Sequence, residues 1–207
     1  MKGVLDLLRR ASPRGGDVQD SLLFTTAFAD QGVDPSMLVP WEARANEVGA
    51  KRISGTRGMG QLQALWAKDK YMGRLDAEAV RRLEKFFDFA FVPADRDIVR
   101  QDEYGNFMVV LLSGTIAVDR LQPWGEQMRL TEARPGDILG EMSLLDSGMR
   151  FSACISLTEC DIAVLGAEAM DQMMREQPHL AASLVALLAR KLSMRLRVVG
   201  ARLSERR

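Results

Sequence analysis

Gly140 and Glu141 stand upstream of Arg150 across the short stretch Met142-Ser143-Leu144-Leu145-Asp146-Ser147-Gly148-Met149. The chemistry these types suggest is anion binding beside a hydroxyl. The Arg150 guanidinium is planar and presents a fork of donors, the side-chain geometry best matched to phosphate oxygens. Gly140 has no side chain to hold a ligand off, and a helical turn opening there leaves its first N–H groups without intrahelical partners. Glu141 would repel a phosphate. As an acceptor for a hydroxyl, for example of a sugar, it makes chemical sense. Ser143 has two readings, a bond to a nearby backbone group or a contact to a ligand.

These residues need elements to hold them. Pro135-Gly136-Asp137 is a turn signal, Ile138-Leu139 a short apolar run, and Met142 to Leu145 has room for one helical turn. Asp146-Ser147-Gly148 breaks that turn, and a β-prone run, Phe151 to Leu157, follows Arg150. Strand-like runs recur over residues 88–165: Ile98-Val99, Phe107 to Leu112, Thr115 to Val118, Gln127 to Leu130, Arg150 to Leu157 and Asp161 to Leu165. Turn residues punctuate them at Pro93, Tyr104-Gly105-Asn106, Ser113-Gly114, Gln122-Pro123-Trp124-Gly125 and Thr158-Glu159. Short strands so spaced predict an antiparallel sandwich or barrel, and a jelly roll of about eight strands suits them.

Helices flank the strands, so the fold class is α+β. Val4 to Leu8 suggests a short helix, and Asp17 or Asp20 is a candidate cap for another carrying Leu22, Leu23, Phe24 and Phe28. Trp41 to Val48 reads as a further helix, and Lys51 to Gly60, with Gly55, Gly58 and Gly60, as a linker. Leu62, Leu65 and Trp66 have helical spacing. Asp76 is placed to cap a helix lined by Val80, Leu83, Phe86 and Phe87. After Leu165, Glu168 to Arg175 looks helical, and Pro178 starts a long helix reaching about Leu203. Its stripe of Leu180, Leu184, Leu187, Leu188, Leu192, Met194, Val198 and Val199 lies beside a basic side of Arg190, Lys191, Arg195, Arg197 and Arg202. This divides the chain into a helical extension and linker (1–60), a β-roll with its preceding helices (61–178) and a terminal helix (179–207).

The ordered set from Phe91 to Gly114, then Gly140-Glu141-Met142-Ser143-Leu144 with Arg150, resembles the cyclic nucleotide-binding domain family, which includes catabolite activators and the regulatory subunits of cAMP-dependent kinase. The likeness covers roughly residues 75 to 205. It implies a double-stranded β-helix jelly roll with a phosphate-binding cassette. Carried over by position, Gly140, Glu141, Met142, Ser143, Arg150, Phe151 and Ser152 become the ligand contacts, with Arg150 on the phosphate and Glu141 on the ribose hydroxyl. It implies cAMP as ligand and a homodimer through the terminal helix, whose apolar stripe has packing on the barrel as its other reading; the signal passes either to residues 1–60 or to another protein. One residue departs from the pattern: Phe151 stands where the family usually has Ala, Ser or Thr, and Ser152 and Ala153 follow one step late. The ring either lies beside the base, favouring cAMP over cGMP, or fills the phosphate site. In the second case the chain is an interaction module without ligand, or with a different one such as a cyclic dinucleotide.

Composition limits the other classes. Lys plus Arg and Asp plus Glu both total 28, so the net charge of zero is no footprint of a generic nucleic-acid binder. A hydrophobic share of 47% suffices for a substantial core. Cys154 and Cys160 read as buried free thiols rather than a disulfide. Met1 to Arg10 lacks the apolar region of a secretory signal, and no apolar run approaches the ~20 residues of a membrane span. A cytoplasmic protein is expected. The single histidine, His179, argues against a cupin-type metalloenzyme or a Ser/His/Asp hydrolase, so no enzymatic activity is expected. The chain's end at Arg207 predicts no helix-turn-helix after the long helix.

Overall fold

The computed structural model describes residues 23–69, 72–74 and 76–204. The expected helix at Val4 to Leu8 and the candidate caps Asp17 and Asp20 lie outside them. Among the described residues, nine strands form two antiparallel sheets: β1 Lys51–Arg52, β2 Asp88–Val92, β3 Asp97–Val99, β4 Phe107–Ser113, β5 Ile116–Leu121, β6 Gln127–Ala133, β7 Ile138–Leu139, β8 Ala153–Ser156 and β9 Cys160–Gly166. One sheet has the order β1-β2-β9-β4-β7, the other β3-β8-β5-β6. The expected jelly roll is the architecture observed, with β1, β2 and β7 in addition to the strands read from sequence.

β4 shows why the two sheets differ in pattern. Its run FMVVLL is buried throughout rather than on alternate residues. Phe107, Val109 and Leu111 face the space between the sheets with Ile116, Cys154, Ile162 and Val164. Met108, Val110 and Leu112 face the other way, onto a helical layer that includes Leu62, Leu83, Met170, Leu184 and Leu188. A sheet covered on both faces reads as continuously apolar. The outer strand β6 has no such cover and is exposed along nearly its whole length.

The covering helices are α1 Leu23–Asp30, α2 Trp41–Val48, α3 Gly55–Trp66, α4 Ala77–Arg82, α5 Glu141–Asp146, α6 Ala167–Glu176 and α7 Pro178–Ser204. α3 corrects the linker expectation for residues 51–60. Its glycines serve close packing: a Cβ on Gly58 would collide with the Phe89 ring on β2, and one on Gly55 with the Glu84 carboxylate. Asp76 does cap α4, accepting from the Ala79 amide at 2.6 Å. That helix is shorter than its apolar spacing suggests, giving way to a 3-10 turn at Glu84–Phe86 before β2 begins.

The N-terminal segment is tied to the roll at both ends. Asp171 on α6 accepts from the Phe24 and Thr25 amides, each at 2.8 Å, and from the Thr25 hydroxyl at 2.6 Å. A buried carboxylate on one helix thus satisfies the orphan donors at the start of another. Farther along, Trp41 on α2 meets Phe107 on β4 edge to face at 5.6 Å between ring centroids. Both cysteines are free and buried.

Candidate functional site

The cassette is built from the turn after β7 to the start of β8. Gly140 caps α5 in the left-handed region at φ 72°, and Ser147 ends that helix at φ 56°. Gly148 then donates to the Asp146 carboxylate at 2.9 Å, which fixes the break predicted there. Arg150 is not the surface residue of a hairpin. It is 3% exposed, donating from Nη1 to the Gly140 carbonyl at 2.6 Å and from Nη2 to the Phe107 carbonyl at 2.7 Å. Its guanidinium lies 4.6 Å over the Phe107 ring.

Glycine is required on two sides of this slot. A Cβ on Gly140 would come within 2.6 Å of Arg150 Nη1, and one on Gly105 within 2.5 Å of Nη2. The group that uses the open space at Gly140 is thus the arginine itself. Its backbone is clasped as well: Arg150 N donates to Glu103 O at 2.8 Å, and Asp102 N to Arg150 O at 2.9 Å. Burial pulls the guanidinium down to about 10, with Arg44 and Glu103 nearby acting in opposite senses. It keeps its charge at neutral pH. Two of its five N–H donors go to the two carbonyls, which leaves capacity for an anion.

Glu141 is 3% exposed. Its carboxylate is met by Arg195 from α7, and Arg195 also donates to the Ile138 carbonyl at 2.7 Å. One turn earlier, Lys191 donates to the Gly136 carbonyl at 3.1 Å. Burial pushes the Glu141 carboxyl above its ordinary value, and the Arg195 charge opposes the shift. α7 therefore lies across the cassette, clamped by two cations.

The sequence-predicted residues do not all converge. Gly140, Glu141 and Arg150 are brought together. Ser143 is buried on α5, Ser152 is half-buried, and Met142 and Phe151 are exposed. Phe151 is 50% exposed, and the Arg120 guanidinium lies 4.0 Å over its ring. The ring does not fill the slot beside Gly140; Arg150 does.

Sequence reasoning placed Arg195 only on the basic side of the last helix, and named neither Arg120 nor Arg44 of α2. Arg44 is buried and bonds Glu103 and Glu47, so α2 reaches the loop that clasps Arg150. No periodic signal marks the pairings with Glu141, Phe151 and Glu103, since each spans distant segments. Among the described residues, no cluster of three or more His, Cys, Asp or Glu could hold a metal ion, and no helix is long and apolar enough to cross a membrane.

A jelly roll with a buried arginine and glutamate at a short helix is the arrangement to be compared with known proteins. Residues 90–177 match the profile of the family described as "Cyclic nucleotide-binding domain". The chain is 30% identical over 118 residues to the Cyclic AMP receptor protein of Thermus thermophilus, covering 57% of this chain and 55% of the relative. It is 26% identical over 118 residues to the CRP-like cAMP-activated global transcriptional regulator of Mycobacterium tuberculosis, covering 57% and 53%. The chain thus spans about half the length of the curated relatives it matches. A cyclic nucleotide-binding domain from Methylobacillus flagellatus has the same fold, with a TM-score of 0.70 at 23% identity over 76% of this chain and 89% of that one. Over residues 90–177 the chain is similar to a cyclic nucleotide-binding domain.

Proposed function

We propose that the protein is a non-catalytic, cytoplasmic sensor that binds cAMP through residues 140–152. Arg150 and the residues around Gly140 receive the cyclic phosphate. Glu141 accepts a ribose hydroxyl; Met142, Ser143, Phe151 and Ser152 border the ligand. The observation that carries this reading is the slot itself. A charged guanidinium is held between Gly140 and Gly105 with donors to spare and lies beside a buried carboxylate, inside the segment that matches the family. An uncompensated phosphate oxygen there gains a charge-assisted bond.

The same reading assigns roles to the flanking parts. Residues 61–178 are the ligand-binding unit with its preceding helices, and residues 179–207 the lid and dimer helix. A ligand hydroxyl at Glu141 competes with Arg195 for one carboxylate, so occupancy shifts the equilibrium of α7 over the cassette. Homodimerisation uses the outer half of α7, where Met194, Leu196, Val198 and Val199 are exposed. The N-terminal segment, joined to Arg150 through Glu103 and Arg44, passes the change to a downstream protein.

Thermal melting with ligand tests the proposal. A ligand at a hundred times its Kd stabilises the native state by about 2.7 kcal/mol. cAMP should raise Tm by several degrees, and 5′-AMP, with its free and more highly charged phosphate, should not. No shift with any cyclic nucleotide would remove the proposal.

A further inference from the structure

Arg120 lies on β5 and has no carboxylate partner among the described residues. The neighbouring Asp119 is occupied by Arg129 and Gln127, and side chains alternate across a strand, so those contacts belong to the other face. Val118 faces the space between the sheets, and Arg120, two residues on, emerges from that same face at the mouth of the roll. Asp119 pairs with Ala153 and Val118 with Cys154. Continuing that register brings Arg120 level with Ser152, two residues after the cassette arginine. The guanidinium donates to the Phe151 carbonyl and lies on the Phe151 ring.

We propose that Arg120 is a second phosphate-binding arginine of this pocket, parked on Phe151 until an anion arrives. The inference rests on the reading of the cassette as a cyclic nucleotide site. A carbonyl and a half-exposed ring are weak partners for a cation. A phosphate oxygen is a stronger one, and the exchange requires only a side-chain turn. The departure at Phe151 then has a physical reason. A small residue after Arg150 could not carry Arg120, whereas an aromatic ring holds it at the entrance. Arg150 is fixed in its slot by two carbonyls; Arg120, half-buried, is the arginine with freedom to close on the ligand.

The test is calorimetric titration of the full chain with cAMP at low and high salt, for wild type, Arg120→Met, Phe151→Leu and Arg150→Lys. Arg120→Met keeps the length of the side chain and removes the charge. It should weaken cAMP binding about tenfold, the scale of one charge-assisted bond, and the deficit should shrink at high salt. Phe151→Leu removes only the ring contact that Arg120 makes in the free state, so it should leave cAMP affinity unchanged or raise it. Wild-type affinity in Arg120→Met, or a deficit that salt leaves unchanged, overturns the inference while Arg150 dependence keeps the pocket reading intact. Wild type that binds no cyclic nucleotide overturns both.

Discussion

Arg195 on the last helix donates to the Glu141 carboxylate on the cassette helix, across 54 residues of sequence. The carboxylate is 4% exposed and the arginine 46% exposed at the side chain, so a solvent-facing cation neutralises a buried anion. Removing the cation leaves that anion uncompensated. Because the Glu141 carboxyl is raised above its ordinary 4.5, the folded state takes up its proton first as pH falls, and protonation there favours the fold. The penalty for losing Arg195 is therefore present above the folded value and fades below it. Arg195→Met should lower stability by about 1–2 kcal/mol at pH 8, with a smaller deficit at pH 5. Adding Glu141→Gln should recover most of it. Melts at the two pH values check this; equal deficits contradict it.

Arg150 has a structural role beside the binding role proposed for it. Arg150→Ala opens a slot lined by two glycines and leaves the Gly140 and Phe107 carbonyls without their donor, which should cost about 2–4 kcal/mol of stability. Arg150→Lys keeps a cation but loses the fork. It should fold with a modest loss of Tm and bind cAMP at least tenfold more weakly. Denaturant titration beside calorimetry separates the two effects.

The last helix divides in two. Leu184 and Leu188 are wholly buried against the roll, so they belong to the core of one chain rather than to a seam between chains. Leu184→Glu should unfold the protein. Leu196→Glu with Val199→Glu, both on the exposed outer half, should leave Tm nearly unchanged and convert a dimer into a monomer by light scattering. A wild-type protein that stays monomeric at high concentration removes the dimer from the account.

At the proposed site, Phe151 would set the base preference. It offers no hydroxyl to the guanine amino group, and a buried donor left unpaired costs about 1–3 kcal/mol. cAMP should bind more tightly than cGMP, and Phe151→Thr should narrow the difference by improving cGMP. Tighter cGMP binding by wild type would contradict the assignment.

What could be read in the sequence was local. Fixed spacing revealed Gly140, Glu141 and Arg150 because one turn and one hairpin carry all three. The unbroken apolar run of β4 revealed a buried strand. The glycines at 55 and 58 misled, because glycine serves close helix–sheet contact as well as loops, and only Phe89 and Glu84 across the gap reveal which. β1 and β7 have two residues each, too few for any period to register. Arg195, Arg120 and Arg44 stood among many exposed-looking arginines. Their partners, Glu141, Phe151 and Glu103, lie on other elements, so nothing short of the fold selects them.

The central claim is that the cassette holds a cyclic phosphate on Arg150. Calorimetric titration of the intact wild-type chain with cAMP, run in parallel with Arg150→Lys, tests it most directly. Wild type should show saturable binding at one ligand per chain, and the folded variant should bind at least tenfold more weakly. Absence of saturable binding in wild type, or equal affinity in the two proteins, would contradict it.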